Sequence, residues 1–253
     1  MGQSELTPHI PKIIHLCWFS GDTFPDKIQK CIDSWKAILP DFTIKLWTQE
    51  MAKAIGNAFI HEALSVQKWA FAADVVRLYA LYTEGGVYMD SDILLIERFD
   101  RFMDKSTVLF QEFYSKVVKN NYKGHLDSEG RNLLSGQPVE GVGIQAAFMI
   151  SKPKQPIIKV LLDVYEDLHF ILPDGSFNTY PVAPARYAMA IEKYGYRYID
   201  AEQVVLNGYI YPSCFVAEHR SVQTKASFAV HLVAHSWRPK SLWQKLFALF
   251  IKK

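Results

Sequence analysis

The chain has 253 residues, of which 49% are apolar, 14% aromatic and 21% charged. This length and apolar content are enough for a substantial core. They exclude a largely disordered chain, which lacks the apolar surface that offsets the entropy of ordering. No apolar run approaches the roughly 18 residues of a membrane-spanning helix. The N-terminus MGQSELTPHIPK lacks the basic and apolar regions of a signal peptide. We therefore expect a soluble, cytoplasmic protein.

The formal net charge is +2, but the charge is unevenly distributed. Residues 238–253 contain five basic residues and no acidic one, whereas the rest of the chain has 23 basic and 26 acidic residues. A mildly acidic body disfavours general nucleic-acid binding, which needs a basic stripe across the body. The three cysteines, Cys17, Cys31 and Cys214, are scattered without metal-ligand spacing, which favours buried thiols in a reducing compartment.

The N-terminal region has the pattern of an α/β domain. Residues 13–18 are nearly all apolar and predict a buried strand, and residues 26–38 have the apolar spacing of a helix that ends before Pro40. Residues 42–47 alternate between apolar and polar side chains and predict a second strand. The order strand, helix, strand favours a parallel sheet with flanking helices.

The strongest helix signal lies at residues 66–84, which are apolar on almost every side. Gly85 and Gly86 end this helix, because glycine is favoured just past a helix C-terminus. Residues 87–95 then predict a strand that is interrupted by two acidic residues. The polar, glycine-bearing segment 115–143 predicts a functional loop or a mobile lid. Further along, the patterns predict a strand at 145–150, a helix at 157–170, a loop at 171–186, a short helix at 187–194 and a strand at 228–233. We expect one domain over residues 1–237, followed by a tail at 238–253.

The two acidic residues are the first candidate site. In an extended segment, residues two apart share a face, so Asp90 and Asp92 are expected to project together with Tyr88. Two carboxylates at the end of an apolar strand repel each other unless a cation compensates them. Such oxygen ligands favour Mg²⁺ or Mn²⁺, which would in turn bind the phosphates of a substrate. The alternative is a solvated turn, because a bare DxD is a weak signal.

A second pair of charged residues lies in the helix before this strand. Asp74 and Arg77 are three residues apart and share one helix face in an otherwise apolar segment. The residues alone leave two interpretations open. They form a structural ion pair, or they reach a polar ligand near the acidic strand end.

Three segments resemble a known family. Residues 72–79 (AADVVRLY) and 81–92 (LYTEGGVYMDSD) resemble the sugar-binding region containing the DXD motif of glycosyltransferase family 32. This family is related to the fungal α-mannosyltransferases and the glucosylating bacterial toxins. Residues 12–18 (KIIHLCW) are similar to its first strand, and residues 229–237 (AVHLVAHSW) to its closing element.

The resemblance implies an α/β GT-A fold, with a Rossmann-like, mostly parallel sheet flanked by helices. It also implies a metal-dependent, retaining transfer of a sugar from a nucleotide-sugar donor, with Mn²⁺ or Mg²⁺ as the metal. By resemblance, Trp18 stacks on the nucleobase, and Asp74 and Arg77 contact the donor sugar and diphosphate. The remaining implied site residues are Tyr88 and Asp90 at the donor, Asp90, Asp92 and His231 at the metal, and Ser236 and Trp237 over the diphosphate. His231 is preferred to His235 as the third ligand, because the family usually has a small residue at the position of His235.

The tail has a separate pattern. On a helical projection of residues 241–253, the apolar side chains fill one arc and lysines lie opposite, which is typical of a membrane-surface anchor. The alternative is a terminal helix docked on the body. An anchor would suit a lipid-linked oligosaccharide or other glycan acceptor at the inner membrane surface.

These patterns together predict a cytoplasmic glycosyltransferase, peripheral on the inner membrane surface, that acts in surface or capsular polysaccharide synthesis. They favour a UDP-sugar over GDP-mannose as the donor. Two alternatives remain open. A haloacid-dehalogenase-type phosphatase also uses a strand that ends in DxD, and a non-catalytic sugar-binding or scaffold protein would keep the same fold.

Overall fold

The structure is a computed structural model that describes residues 9–118, 125–134 and 136–232. Its strands are β1 Ile13–Cys17, β2 Thr43–Trp47, β3 Gly86–Met89, β4 Ile93–Leu95, β5 Thr107–Phe113, β6 Val142–Ile144, β7 Phe148–Ser151, β8 Gln203–Val205, β9 Gly208–Tyr211, β10 Val216–Ala217 and β11 Ala229–His231. Its helices are α1 Asp26–Ile38, α2 Gln49–Lys53, α3 Ala58–Ser65, α4 Trp69–Thr83, α5 Pro156–Asp163 and α6 Ala183–Ile191.

The larger sheet has eight strands in the order β2-β1-β3-β7-β5-β9-β8, with β6 paired to β5. β1 is parallel to both β2 and β3, and β5 is parallel to β9. β7 lies between β3 and β5 and is antiparallel to both. Strands β1, β2, β3, β5 and β9 therefore point the same way, and their carboxyl ends meet at one edge of the sheet. The predicted α/β class with a mostly parallel sheet is confirmed.

Helices cover both faces of this sheet. Alternate residues of a strand point to opposite faces, so Val87 and Met89 pack with α1 while Tyr88 packs with the other helices. The core on the α1 side also receives residues of the small sheet β10-β11-β4, such as Val216 and Ala229. This shared core fixes the small sheet against the large one.

Several predicted elements are confirmed, and others are shifted. α1 and the first two strands match their predicted positions within a residue. The helix predicted at 66–84 begins at Trp69, because Gln67 adopts φ 57°, which no α-helix residue has. The strand predicted at 145–150 corresponds to β7, which begins three residues later, and β6 just before it was not predicted.

The later helices also differ from their predicted bounds. α5 ends at Asp163 rather than 170, and α6 begins at Ala183, inside the predicted loop, with Pro184 in its first turn. Proline suits that position because its fixed φ is helical and its missing N–H is not needed there. β5 was not predicted. In the described ranges, no helix has both the length and the hydropathy that a membrane span requires.

Candidate functional site

The acidic motif lies in a turn at the carboxyl edge of the large sheet. After β3, the backbone N–H of Ile93 donates to the carbonyl of Asp90 at 3.0 Å, and β4 then pairs with β11 in the small sheet. The chain must change direction here because β3 and β4 belong to different sheets. The expected extended conformation of residues 90–92 is therefore wrong, and the turn rather than the strand pleat brings the two carboxylates together.

The same turn places a histidine beside the two acids. β11 runs antiparallel to β4 with His231 opposite Ile93, and the Leu232 backbone N–H donates to the Asp92 carbonyl at 3.0 Å. One ligand atom from each of Asp90, Asp92 and His231 lies within 4.8 Å of the other two. The structure thus brings together the three residues that the sequence analysis assigned to a metal.

The charges in this cluster favour a bound cation. His231 Nε2 lies 3.3 Å from Asp92 Oδ1. Burial acts to lower the pKa of His231, but the hydrogen bond to Asp92 and the charges of Asp92, Asp90 and Glu218 outweigh it, so the pKa is raised. A raised histidine pKa reports excess negative charge, which a divalent cation would compensate. Two carboxylates and an imidazole are donors that fit Mn²⁺.

Arg77 lies beside the acidic turn and is almost fully buried. Its guanidinium donates to the carbonyls of Ala73 at 3.1 Å and Ala146 at 2.5 Å. It pairs with Asp74 Oδ1 at 2.9 Å and with Asp90 Oδ1 at 3.5 Å. Burial opposes its charge, but the charges of Asp90, Tyr88 and Asp74 raise the pKa of Arg77 well above its usual value. Arg77 is therefore a fixed cation that joins α4 to the acidic turn.

Two further contacts define the position of Arg77 and the acidic turn. The guanidinium carbon lies 4.6 Å from the ring centre of Tyr88, whose hydroxyl donates to Asp90 Oδ1 at 2.6 Å. Burial raises the pKa of Asp74 to about 7, although Arg77 opposes this shift. The Tyr187 hydroxyl of α6 donates to the backbone carbonyl of Asp74 at 2.7 Å. The predicted pair Asp74 and Arg77 thus forms an ion pair that also faces Asp90 and Tyr88.

A tight turn at Gly85 and Gly86 joins α4 to β3. Gly85 and Gly86 have φ of +69° and +106°, which side-chain-bearing residues rarely adopt. A Cβ on Gly86 would lie 2.6 Å from the carbonyl oxygen of Ile13. The glycines therefore let β3 approach β1 closely, directly after the helix that carries Arg77.

Trp18 lies at the same edge of the sheet, just after β1. Its indole N–H donates to the Asp22 carbonyl at 2.7 Å, and its ring contacts Phe24 edge-on at 4.9 Å. The preceding residue, Cys17, was predicted only as a buried thiol. Burial raises the pKa of Cys17 to about 12, and Arg77 and Asp90 lie close enough to influence it. Cys17 therefore contributes a neutral thiol to the wall of the site.

One segment of the site has no sequence pattern that indicates a functional role. The carbonyl of Ala147 accepts from the Asp90 backbone N–H at 2.9 Å, and the carbonyl of Ala146 accepts from Arg77. Gln145, the next residue back along the chain, donates through Nε2 to Glu218 Oε1 at 3.4 Å. Sequence reasoning missed this segment because backbone carbonyls act regardless of side chain. The predicted residues Ser236 and Trp237, with His235 and the 238–253 tail, lie outside the described residues.

Comparison with known proteins covers the part of this site that contains Asp74, Arg77, Asp90 and Asp92. Residues 25–109 match the family model described as "Glycosyltransferase sugar-binding region containing DXD motif". "Inositol phosphoceramide mannosyltransferase 3" of Schizosaccharomyces pombe is 37% identical over 98 residues, which are 36% of this chain and 26% of that protein. "Mannosyl phosphorylinositol ceramide synthase CSH1" of Saccharomyces cerevisiae is 34% identical over 90 residues, 33% of this chain and 23% of that protein. The family resemblance predicted from the sequence is confirmed for this region, and the matches span about a quarter of these relatives.

Solved structures give weaker likenesses. "PaToxG Glycosyltransferase" aligns with a TM-score of 0.48 and 16% identity, covering 73% of this chain and 70% of that chain. A "glycosyltransferase involved in the glycosylation of the major capsid of PBCV-1" aligns with a TM-score of 0.43 and 12% identity, covering 88% of this chain and 94% of that chain.

Proposed function

We propose that this chain, which carries the glycosyltransferase sugar-binding region with its DXD motif, is a metal-dependent, retaining glycosyltransferase of the GT-A type. One observation carries the proposal. The acidic pair of the motif lies with His231 in a single cluster and beside the buried cation Arg77. A divalent cation and a guanidinium side by side are what a nucleoside diphosphate leaving group needs.

In the proposed reaction, the bond between the sugar and the diphosphate breaks, the sugar forms a bond to the oxygen of an acceptor hydroxyl, and the proton of that hydroxyl passes to the departing diphosphate. The diphosphate leaves with the electron pair and gains negative charge. Asp90, Asp92 and His231 would hold the divalent cation, which when bound supplies Lewis-acid stabilisation of that charge. Arg77 supplies a second positive charge, already oriented by the carbonyls of Ala73 and Ala146.

The other predicted residues would bind the donor. Asp74 lies within 2.9 Å of the Arg77 guanidinium and would accept hydrogen bonds from the sugar hydroxyls. Tyr88 holds Asp90 through its hydroxyl, which keeps that carboxylate in place. Trp18 follows the carboxyl end of β1 and would stack on the nucleobase. Donors of this kind bind at the carboxyl ends of strands in open α/β sheets, which supports the same edge.

The donor is a nucleotide hexose. The sequence analysis favours a UDP-sugar, whereas the Schizosaccharomyces pombe relative is a mannosyltransferase by name, which supports testing GDP-mannose as well. The acceptor is a glycan or a lipid-linked oligosaccharide, in surface polysaccharide synthesis on the cytoplasmic face of a membrane. The basic, apolar composition of residues 241–253 supports the membrane location.

A donor panel tests the reaction. The full chain is incubated with UDP- and GDP-sugars in Mn²⁺, and release of the nucleotide is measured beside the Asp92→Asn variant and an EDTA control. We expect one donor to be turned over, and we expect the variant and EDTA to abolish turnover. Asp100→Asn is the matched control, because Asp100 pairs with Arg98 on the surface and faces no metal cluster. If no donor turns over and no nucleotide binds, the proposal is wrong.

Two further measurements separate the alternatives. Release of phosphate from p-nitrophenyl phosphate would favour the haloacid-dehalogenase-type phosphatase. Nucleotide binding with no turnover in the presence of any acceptor tested would favour the non-catalytic protein. Binding of the full chain to anionic liposomes, compared with a chain ending at residue 240, tests the membrane surface. Equal binding by the two chains would contradict an anchor at 241–253.

A further inference from the structure

Helix α1 packs along β4 and brings its first turn to the acidic motif. Near the end of the helix, the indole N–H of Trp35 donates to the carbonyl of Ile93 at 2.7 Å. One turn nearer the beginning of the helix, Cys31 is close enough to Asp92 to be affected by its charge. Burial raises the pKa of the Cys31 thiol to about 11, and the charge of Asp92 acts in the same direction. The first turn of α1 therefore lies next to the carboxylates and the histidine that are proposed to hold the metal.

Lys27 is the exposed cation of this first turn. Its ammonium donates to the backbone carbonyl of Leu232 at 3.3 Å, and the backbone N–H of Leu232 donates to the carbonyl of Asp92 at 3.0 Å. A single residue of backbone thus separates the ammonium from the acidic motif. Within the described residues, Lys27 forms no ion pair, and the carbonyl of Leu232 takes only one of its three donors. Lys27 therefore has a charge and N–H groups available to a ligand at this position.

The connection between β1 and α1 joins Lys27 to the part of the site proposed for the nucleobase. Trp18 begins this connection, and it contacts the carbonyl of Asp22 and the ring of Phe24. Pro25 follows as the N-cap of α1, two residues before Lys27. Lys27 is thus linked on one side to the residue proposed to stack on the base, and on the other side to the residues proposed to hold the metal. In a nucleotide sugar, the group between the nucleoside and the sugar is the diphosphate.

The other cation of the site is already engaged by carboxylates. The guanidinium of Arg77 pairs with Asp74 at 2.9 Å and lies 3.5 Å from Asp90, so its charge is shared with the protein before a donor binds. A diphosphate carries a negative charge on each phosphate group and gains more as the bond to the sugar breaks. A lysine ammonium is a compact charge that binds phosphate oxygens through charge-assisted hydrogen bonds. The exposed, unpaired ammonium of Lys27 suits this ligand.

We propose that Lys27 binds the diphosphate of the nucleotide donor, as a second side-chain cation opposite Arg77 across the acidic turn. This inference rests on the proposed glycosyltransferase function and adds to it a residue of α1, outside the segments that resemble the family. Binding needs no ion pair to be broken, because the hydrogen bond to the carbonyl of Leu232 uses one donor of the ammonium and leaves the others for the phosphate.

Nucleotide affinity tests this role without any need for turnover. The full chain is titrated with UDP and with GDP in Mn²⁺ by isothermal titration calorimetry, and the nucleotide that binds more tightly is used for the variants. We expect Lys27→Met to raise its Kd about tenfold, because a charge-assisted contact to phosphate is lost. Lys27→Gln keeps a donor for the carbonyl of Leu232 but not the charge, so we expect the same loss. Lys27→Arg keeps the charge and should bind more tightly than either. The difference between wild type and Lys27→Met should shrink as the KCl concentration rises, because salt screens an exposed charge.

The matched control is Lys36→Met, which removes an exposed lysine from the last turn of the same helix, about 13 Å further along its axis. We expect this variant to keep the wild-type Kd. Lys27 is exposed, so its variants are expected to fold, and circular dichroism checks each of them. If the wild type binds a nucleotide and Lys27→Met or Lys27→Gln binds it equally well, or if Lys36→Met loses as much affinity, this inference alone is overturned. If the wild type binds neither UDP nor GDP, the proposed function fails and the inference fails with it.

Discussion

Arg77→Lys separates the charge of Arg77 from its geometry. The guanidinium serves two carbonyls, at Ala73 and Ala146, and two carboxylates, at Asp74 and Asp90, from a side chain that is 4% exposed. Lysine keeps the positive charge but has one nitrogen with three donors, so it cannot reach all four acceptors. We therefore expect a loss of stability although no charge is removed.

The size of this loss follows from the groups left without a partner. A buried carbonyl that loses its donor costs about 1–3 kcal/mol, and Ala146 is nearly fully buried. We expect Arg77→Lys to lower the free energy of unfolding by about 1–3 kcal/mol. Arg77→Ala also leaves Asp74 and Asp90 without their cation, and the expected loss is about 3–5 kcal/mol.

Urea denaturation followed by circular dichroism measures these losses. Arg98→Lys is the matched control, because Arg98 pairs with Asp41 and Asp100 at the surface and its side chain is 38% exposed. Exposed pairs contribute little, so we expect Arg98→Lys to leave the free energy of unfolding close to that of the wild type. Wild-type stability of Arg77→Lys, or an equal loss in Arg98→Lys, would refute the reasoning.

Three further predictions concern the backbone and the titration of the site. Gly86→Ala places a Cβ 2.6 Å from the Ile13 carbonyl, and we expect it to cost more than about 2 kcal/mol in urea denaturation. Gly56→Ala is the control, because a Cβ at Gly56 would have no atom within 4 Å. We expect it to cost only about 1 kcal/mol, owing to the positive φ of Gly56. An equal loss of stability in the two variants would contradict the argument. Because the pKa of His231 is raised, protons compete with the metal, so Mn²⁺ affinity measured by electron paramagnetic resonance should rise from pH 6 to pH 8. An equal rise in the His231→Asn variant would show that the pH dependence of Mn²⁺ affinity does not come from His231. Burial raises the pKa of Asp74 to about 7, above its unfolded value, so the folded state binds more protons between about pH 4 and 7 and stability falls as pH rises through that range. The Asp74→Asn side chain does not titrate, so the Tm of this variant minus the Tm of the wild type should increase over the same pH range. A constant difference in Tm would contradict this expectation.

In the first third of the chain, β1, α1, β2 and α4 were predictable from sequence because their signals are local, whereas α2 and α3 were not predicted. The helical spacing of α1 and α4 and the glycines at 85 and 86 act within a few residues of one another. The DXD motif and the Asp74–Arg77 pair lie in the same region, and the family match covers it. β5 was missed, although it is a central strand, because its strand character depends on burial between β7 and β9 rather than on alternation along its own sequence.

The sequence alone determined the residue types of the site: two acids, an arginine and a histidine of suitable chemistry, with the acids following an apolar strand. Only the tertiary structure decided how they meet. Asp90 and Asp92 come together through a turn between two sheets, and His231 reaches them from a strand more than 130 residues later because β11 pairs with β4. Contacts at such separations depend on sheet pairing, whose hydrogen bonds join backbone groups and therefore leave no motif in the sequence.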